Sequence, residues 1–247
     1  MAVLTQEISE VSGGFSKKIN EAAVGLMYDI LQQHQYQFPI KSTIREIVSN
    51  GLDSITEKKI ALAILSGNSK VEDFYIEKDG EIYADSKFDP AYYNKQFLSP
   101  NDNVEVTYYD GGDLEKDRII IQDFGVGLGG KRLEGYFDLG FSSKRLNTKV
   151  LGKFGIGAKA PLSIGVPFYT ITSRYNGKEF CFNVYAHRVE SVIPARELTT
   201  DIVDNPSYEF SNGYVCHYRK TTECNMLQIE IAAKKHHKSQ YLDAVTS

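Results

Sequence analysis

Tryptophan is absent from the 247-residue chain, and cysteine is scarce. Cys181, Cys216 and Cys224 are odd in number and lack metal-ligand spacing, which argues against a disulfide framework and for reduced thiols in a cytosolic protein. Long apolar runs are missing too. No stretch approaches the ~18 consecutive apolar residues of a membrane span, and the first residues lack the basic-then-apolar order of a signal peptide. The expectation is a soluble cytoplasmic chain with no integral membrane segment. Basic excess is also lacking. A net charge of -4 gives no footprint of a general nucleic-acid binder, although local basic patches leave direct nucleic-acid binding open. There is no internal repeat, no low-complexity linker and no second domain of useful size.

What is present divides into alternating helical and strand-like pieces. Residues 1–16, with Gly13-Gly14, read as a mobile arm or an edge strand. Over residues 17–33, Ile19, Ala22, Ala23, Leu26, Met27, Ile30 and Leu31 recur at helical spacing, and Pro39 breaks that helix. Ser42 or Thr43 is the expected N-cap of the next helix, with Glu46 three residues after Thr43 as in a capping box. This helix runs to about Leu65 or pauses near Lys58. Residues 70–103 read as a surface insertion with a hairpin about Asp79-Gly80. A second hairpin, Val104–Tyr109 followed by residues 118–122, delivers Asp123 at its end. Gly140 to Arg145 reads as a mobile loop, with a short helix near residues 133–139 before it and a helix start at Gly157 or Ala158 after it. Asn176-Gly177 is a strong hairpin turn, and further strands fall near residues 189–193, 213–218 and 226–231.

Three short patterns carry chemistry. On a helix of about 100° per residue, Glu46, Asn50 and Asp53 lie within about 60° of one another, while Ile44, Ile47, Val48, Leu52 and Ile55 take the opposite side. Taken alone, that stripe reads more readily as a solvated face. Asp123-x-Gly125-x-Gly127 ends a strand. Its carboxylate is costly to bury unless hydrogen-bonded, an adenine amino group is a suitable donor, and the glycines would let a flat base lie against backbone; the alternative is an aspartate that starts a turn. Gly152-x-x-Gly155-x-Gly157 could cradle an anion with free N–H groups at a helix start, or be a flexible turn. Asn50 offers an amide oxygen to a hard cation such as Mg²⁺ that also holds phosphate, and Glu46 could deprotonate a water. Ser142, Ser143, Lys144 and Arg145 could reach outer phosphates or form a solvated basic loop.

The three patterns, in this order, resemble the motifs of the ATPase superfamily of gyrase subunits, Hsp90 chaperones, histidine kinases and MutL-type repair proteins. Residues 39–53, Phe141-Ser-Ser-Lys-Arg145, residues 152–161 and Thr170-Ile-Thr-Ser-Arg-Tyr-Asn-Gly177 are most similar to phage rapid-lysis rII A-type proteins. The resemblance implies an α+β fold: a two-layer sandwich with helices on one face of a mixed, mostly antiparallel sheet, over residues 1–232. It implies a lid over about residues 128–151, with residues 233–247 as a tail or the opening of a truncated following domain. ATP or ADP would be bound with Mg²⁺ on Asn50. Asp123, with the hydroxyl of Ser49 or Thr170, would serve adenine, supported by Asp53 and flanked by Gly125 and Gly127. Gly152, Gly155, Ile156, Gly157 and Lys159 would line the phosphate side, with Ser142, Ser143 and Lys144 in the lid. Glu46 would activate water, which histidine kinases as a rule do not do. The resemblance also allows a partner, either a second copy in an ATP-dependent dimer or another protein subunit, in a host cytoplasm if phage-encoded. Two departures stand out. Gly51 replaces the usual alanine at a cost of about 1 kcal/mol in helix propensity. The chain also stops soon after Ile231, where relatives continue into a domain bearing a catalytic lysine, which implies weak hydrolysis by this stretch alone. The other readings of the same pocket are a nucleotide sensor without turnover and a phosphotransfer domain.

Overall fold

The structure, a computed structural model, describes residues 11–16, 39–70, 76–78, 81–83, 91–112, 116–136, 157–185, 188–192, 206–211, 213–233 and 238–246. The helix expected over residues 17–33 lies outside this set, as do residues 137–156. Helix α1 (Pro39–Leu65) runs unbroken through Lys58. Proline is tolerated in a first turn, where its missing N–H would have no helical acceptor, so Pro39 begins the helix. Ser42 and Thr43 therefore fall inside it instead of capping it. Both are buried, and the Thr43 hydroxyl donates to the Ala160 carbonyl at 3.1 Å. Glu46 is thereby no part of a capping box.

The strands are β1 (Val11–Ser16), the small pair β2 (Ile76–Lys78) and β3 (Glu81–Tyr83), β4 (Val104–Tyr109), β5 (Arg118–Asp123), β6 (Phe168–Tyr175), β7 (Lys178–Tyr185) and β8 (Arg188–Val192). They continue with the small pair β9 (Ser207–Glu209) and β10 (Val215–His217), then β11 (Arg219–Lys220) and β12 (Met226–Ala232). The main sheet has the order β1-β8-β7-β6-β12-β5-β4, with β11 added on β7. Every pairing among the described residues is antiparallel. Strand β12 is inserted between β5 and β6, so the sheet joins these two only through a strand about 50 residues further along than β6. This is the expected α+β architecture.

Strand alternation places Ile119, Ile121 and Asp123 on one face. That face joins Tyr169, Ile171, Phe180, Phe182, Ile229 and Ile231 in one core with Ile40, Ile44 and Ile47 of α1 and Leu162 of the 3₁₀ helix Gly157–Ile164. Two further helices, α2 (Gly130–Tyr136) and α3 (Lys238–Thr246), pack on the same core through Leu133 and Tyr241. The tail residues thus contribute to the interior: Tyr241 meets the Tyr108 ring at 6.3 Å between centroids. Residues 91–100, within the stretch read as a surface insertion, supply buried Tyr93 and Leu98. Tyr93 forms a second small cluster with Ala61 and Val126.

The three cysteines are free. Burial pushes the Cys181 and Cys216 thiols up to about 12, while Cys224 is half-buried. Since the thiolate is the reactive form, native protein at pH 8 should label fast at Cys224 alone, and at all three positions in denaturant. Mass spectrometry of the labelled peptides checks this, and fast native labelling of Cys181 or Cys216 would contradict the packing.

Candidate functional site

Helix α1 crosses the end of β5 at very short range. A Cβ on Gly51 would stand 3.0 Å from the Asp123 Cβ and 3.0 Å from Val104 Cγ2. One turn later the loop after Asp123 folds onto the helix, and a Cβ on Gly125 would lie 2.0 Å from Ser54 Oγ. Gly127 has φ +71°, and a Cβ there would meet the Arg174 carbonyl oxygen at 2.2 Å. Gly125 and Gly127 are therefore demanded by the protein's own packing, whatever lies against the loop, while Gly51 fits tightly.

The contact also sets which way the helix faces. Leu52, counted with the apolar stripe, is 46% exposed, whereas Asp53, counted on the far side, is only 8% exposed. Glu46 and Asn50 are half-buried. The stripe of Glu46, Asn50 and Asp53 therefore borders the buried face beside the sheet, and is not the solvated side of an amphipathic helix. Burying carboxylates without partners is costly, and Asp123, 5% exposed, accepts from the Gly125 N–H at 2.9 Å. Arg45, mostly exposed, lies 3.7 Å from Glu46.

The backbone from Phe124 to Leu128 is held on several sides. Lys58 donates to the Phe124 carbonyl at 2.9 Å. The Val126 N–H donates to Ser54 Oγ at 3.1 Å, and the Asn225 amide donates to the Val126 carbonyl at 2.9 Å. The Tyr92 hydroxyl donates to the Gly127 carbonyl at 3.2 Å. Ser173 Oγ accepts from the Leu128 N–H at 2.9 Å and donates to the Leu128 carbonyl at 2.8 Å. Helix α2 is held as well. The Arg132 guanidinium donates to Glu57 and to the Tyr93 hydroxyl and lies 4.1 Å from the Tyr92 ring centroid, while Glu134 accepts from Tyr208 and Ser211. Residues 128–136, the opening of the expected lid, are thus fastened to the body. At the end of α2, burial and then the Asp123 carboxylate raise the Tyr136 hydroxyl above the ordinary phenol range, against a hydrogen bond with Tyr169 that lowers it. Tyr136 thus stands near Asp123.

Of the candidate residues, Asp123 and Gly125 lie against α1 at Gly51 and Ser54, and Glu46, Asn50 and Asp53 are carried on that same helix. Thr170 is not among them. Asp123 pairs with Leu227 and Leu227 with Ser173, so Thr170, three residues from Ser173, falls on the opposite sheet face. Its hydroxyl donates to Asn183 Oδ1 at 2.9 Å. Gly157 opens the 3₁₀ helix that docks on α1 at Thr43. Ser142, Ser143, Lys144, Gly152, Gly155 and Ile156 lie outside the described residues, as does the side chain of Lys159. Sequence reasoning missed Ser54, Lys58, Ser173 and Asn225. Each lies far along the chain from the loop it holds, and no local pattern marks them.

Comparison with protein families matches residues 36–212 to the histidine kinase-, DNA gyrase B-, and HSP90-like ATPase family. The chain belongs to this family. The match covers α1, the Asp123 loop and the β6–β7 hairpin, so these elements belong to an ATP-binding domain of the gyrase B and Hsp90 type. No curated protein matches the chain. Among the described residues no helix is long and apolar enough to cross a membrane.

Gly125→Ala is expected to destabilise the domain by about 1–3 kcal/mol, the range for overpacking. The reason is that Ser54 must move and its bond to the Val126 N–H is lost. A urea titration reads this as a lower midpoint at unchanged slope, and an unchanged midpoint would contradict the close approach.

Proposed function

We propose that the chain is an Mg²⁺-dependent ATPase module that binds ATP and ADP beside α1 and the Asp123 loop. On this reading it hydrolyses ATP slowly and acts as a conformational switch. The observation that supports the reading is the burial of two carboxylates, Asp53 on α1 and Asp123 at the end of β5, with Glu46 and Asn50 half-buried on the same helix. A solvated polar face would not bury them. Asp123 would accept from the adenine amino group, with Asp53 supporting that side. Thr170 is left out of the base contacts because its hydroxyl is used on the other sheet face.

The donor set suits magnesium shared with phosphate. Among the described residues no group of three or more His, Cys, Asp and Glu side chains could hold a metal alone, whereas Asn50 offers one hard oxygen and phosphates supply others. Mg²⁺ held there would neutralise charge on the phosphate oxygens. Glu46 lies one helical turn before Asn50, where its carboxylate can accept a proton from a water directed at the terminal phosphate. Phosphoryl transfer of this kind rests mainly on positioning and charge stabilisation. Ser142, Ser143 and Lys144, with Gly152, Gly155, Ile156, Gly157 and Lys159, are assigned to the phosphates by their place in the motifs. The free thiols fit a cytoplasmic setting, and the sequence likeness to phage rII A-type proteins extends the proposal to a phage switch acting with a second copy or another subunit.

Glu46→Ala separates hydrolysis from sensing. Turnover is expected to fall at least about 100-fold, the usual contribution of a general base, with nucleotide affinity within about two-fold of wild type. Phosphate release and calorimetry on the same preparation read both. Unchanged turnover would remove Glu46 from catalysis, and no turnover in either protein would favour the sensor.

A further inference from the structure

Lys58 lies within α1 with 0% of its surface exposed, and lysine is almost never fully buried unless paired. Its ammonium has three N–H donors and meets three acceptors: the Phe124 carbonyl at 2.9 Å, the Asn101 carbonyl, and Asp102 Oδ1 at 2.9 Å. The first of these is the informative one. The Phe124 carbonyl and the Gly125 N–H belong to one planar peptide group, in which C=O and N–H point in opposite directions. Lys58 grips its oxygen, and its N–H holds the Asp123 carboxylate at 2.9 Å.

We propose that Lys58 is a positioning residue for the nucleotide base, acting on Asp123 through the Phe124–Gly125 peptide group. The inference rests on the reading of Asp123 as the base-binding carboxylate. A charged donor on the carbonyl polarises the peptide and strengthens the hydrogen bond at its far side. The orientation of the Asp123 carboxylate is thereby set by the fold and not by rotamer chance. A neutral or apolar side chain at Lys58 would leave the Phe124 carbonyl without this donor and free the peptide to turn. The counter-ion sits at the rim: Asp102 is shared with surface Lys59 at 3.2 Å, and the Lys58 hydrogen bond, then that of Lys59, holds its carboxyl below the ordinary range. Asp102 balances the buried charge without touching the loop, so its role and that of Lys58 can be separated.

Three proteins are compared: wild type, Lys58→Met and Asp102→Asn. In wild type without nucleotide, the Gly125 amide is expected to exchange hydrogen as slowly as those of β5. In folded Lys58→Met its exchange should speed up at least ten-fold while β5 amides keep their rates. Dissociation constants for ATP, ADP and adenosine should all rise by the same factor, ten-fold or more, with unchanged Mg²⁺ dependence, because the effect is on the base and not the phosphates. Asp102→Asn should stay within about two-fold of wild type. General loosening would not produce a loss confined to the base. Folded Lys58→Met that binds adenosine as wild type does would overturn the proposal, and so would a loss in Asp102→Asn as large as in Lys58→Met. Fast Gly125 exchange in wild type would overturn it even if Lys58→Met does not fold. If wild type binds none of the three compounds while its Gly125 amide is protected, the base-binding reading of Asp123 fails, and the role of Lys58 in it falls too.

Discussion

The site depends on how closely α1 passes the end of β5. At Gly51 there is room for a hydrogen but not comfortably for a methyl group, and one turn on, Ser54 occupies the space a side chain at Gly125 would need. A helix-interior glycine costs about 1 kcal/mol against alanine. Here that cost accompanies an approach so close that Ser54 reaches the Val126 N–H and Lys58 the Phe124 carbonyl.

The same contact divides fixed from variable parts of the site. From Phe124 to Tyr136 the chain is tied to α1, β6 and the segment before β12, through Lys58, Ser54, Ser173, Asn225 and Arg132. A binding site built on such a loop would be preformed, so that binding energy need not be spent on ordering it. The near end of the expected lid, as far as Tyr136, is tied to the body in the same way.

The motifs themselves were legible in sequence because each is local: a helical stripe, a strand ending in Asp123, a hairpin at Asn176-Gly177. The helix start was misread because Pro39 looks like a breaker, although a first turn accepts it. The direction α1 faces was not legible either. Periodicity gives a wheel, but only contact with β5 decides that Leu52 points out and Asp53 in. Thr170 illustrates the same limit on a strand, since its face depends on pairing with β12, a strand some 55 residues later, and a shift of one residue inverts it. Lys58 read as a place where the helix might pause; it is the buried post of the loop.

If Asp123 and the α1 stripe form one nucleotide pocket, calorimetric titration of ADP and of a non-hydrolysable ATP analogue into the purified chain, with and without Mg²⁺, will show saturable one-to-one binding. That binding weakens when Mg²⁺ is withdrawn and is lost in a folded Asp123→Asn protein. Binding that survives Asp123→Asn undiminished, or no heat of binding from well-folded wild type, would contradict it.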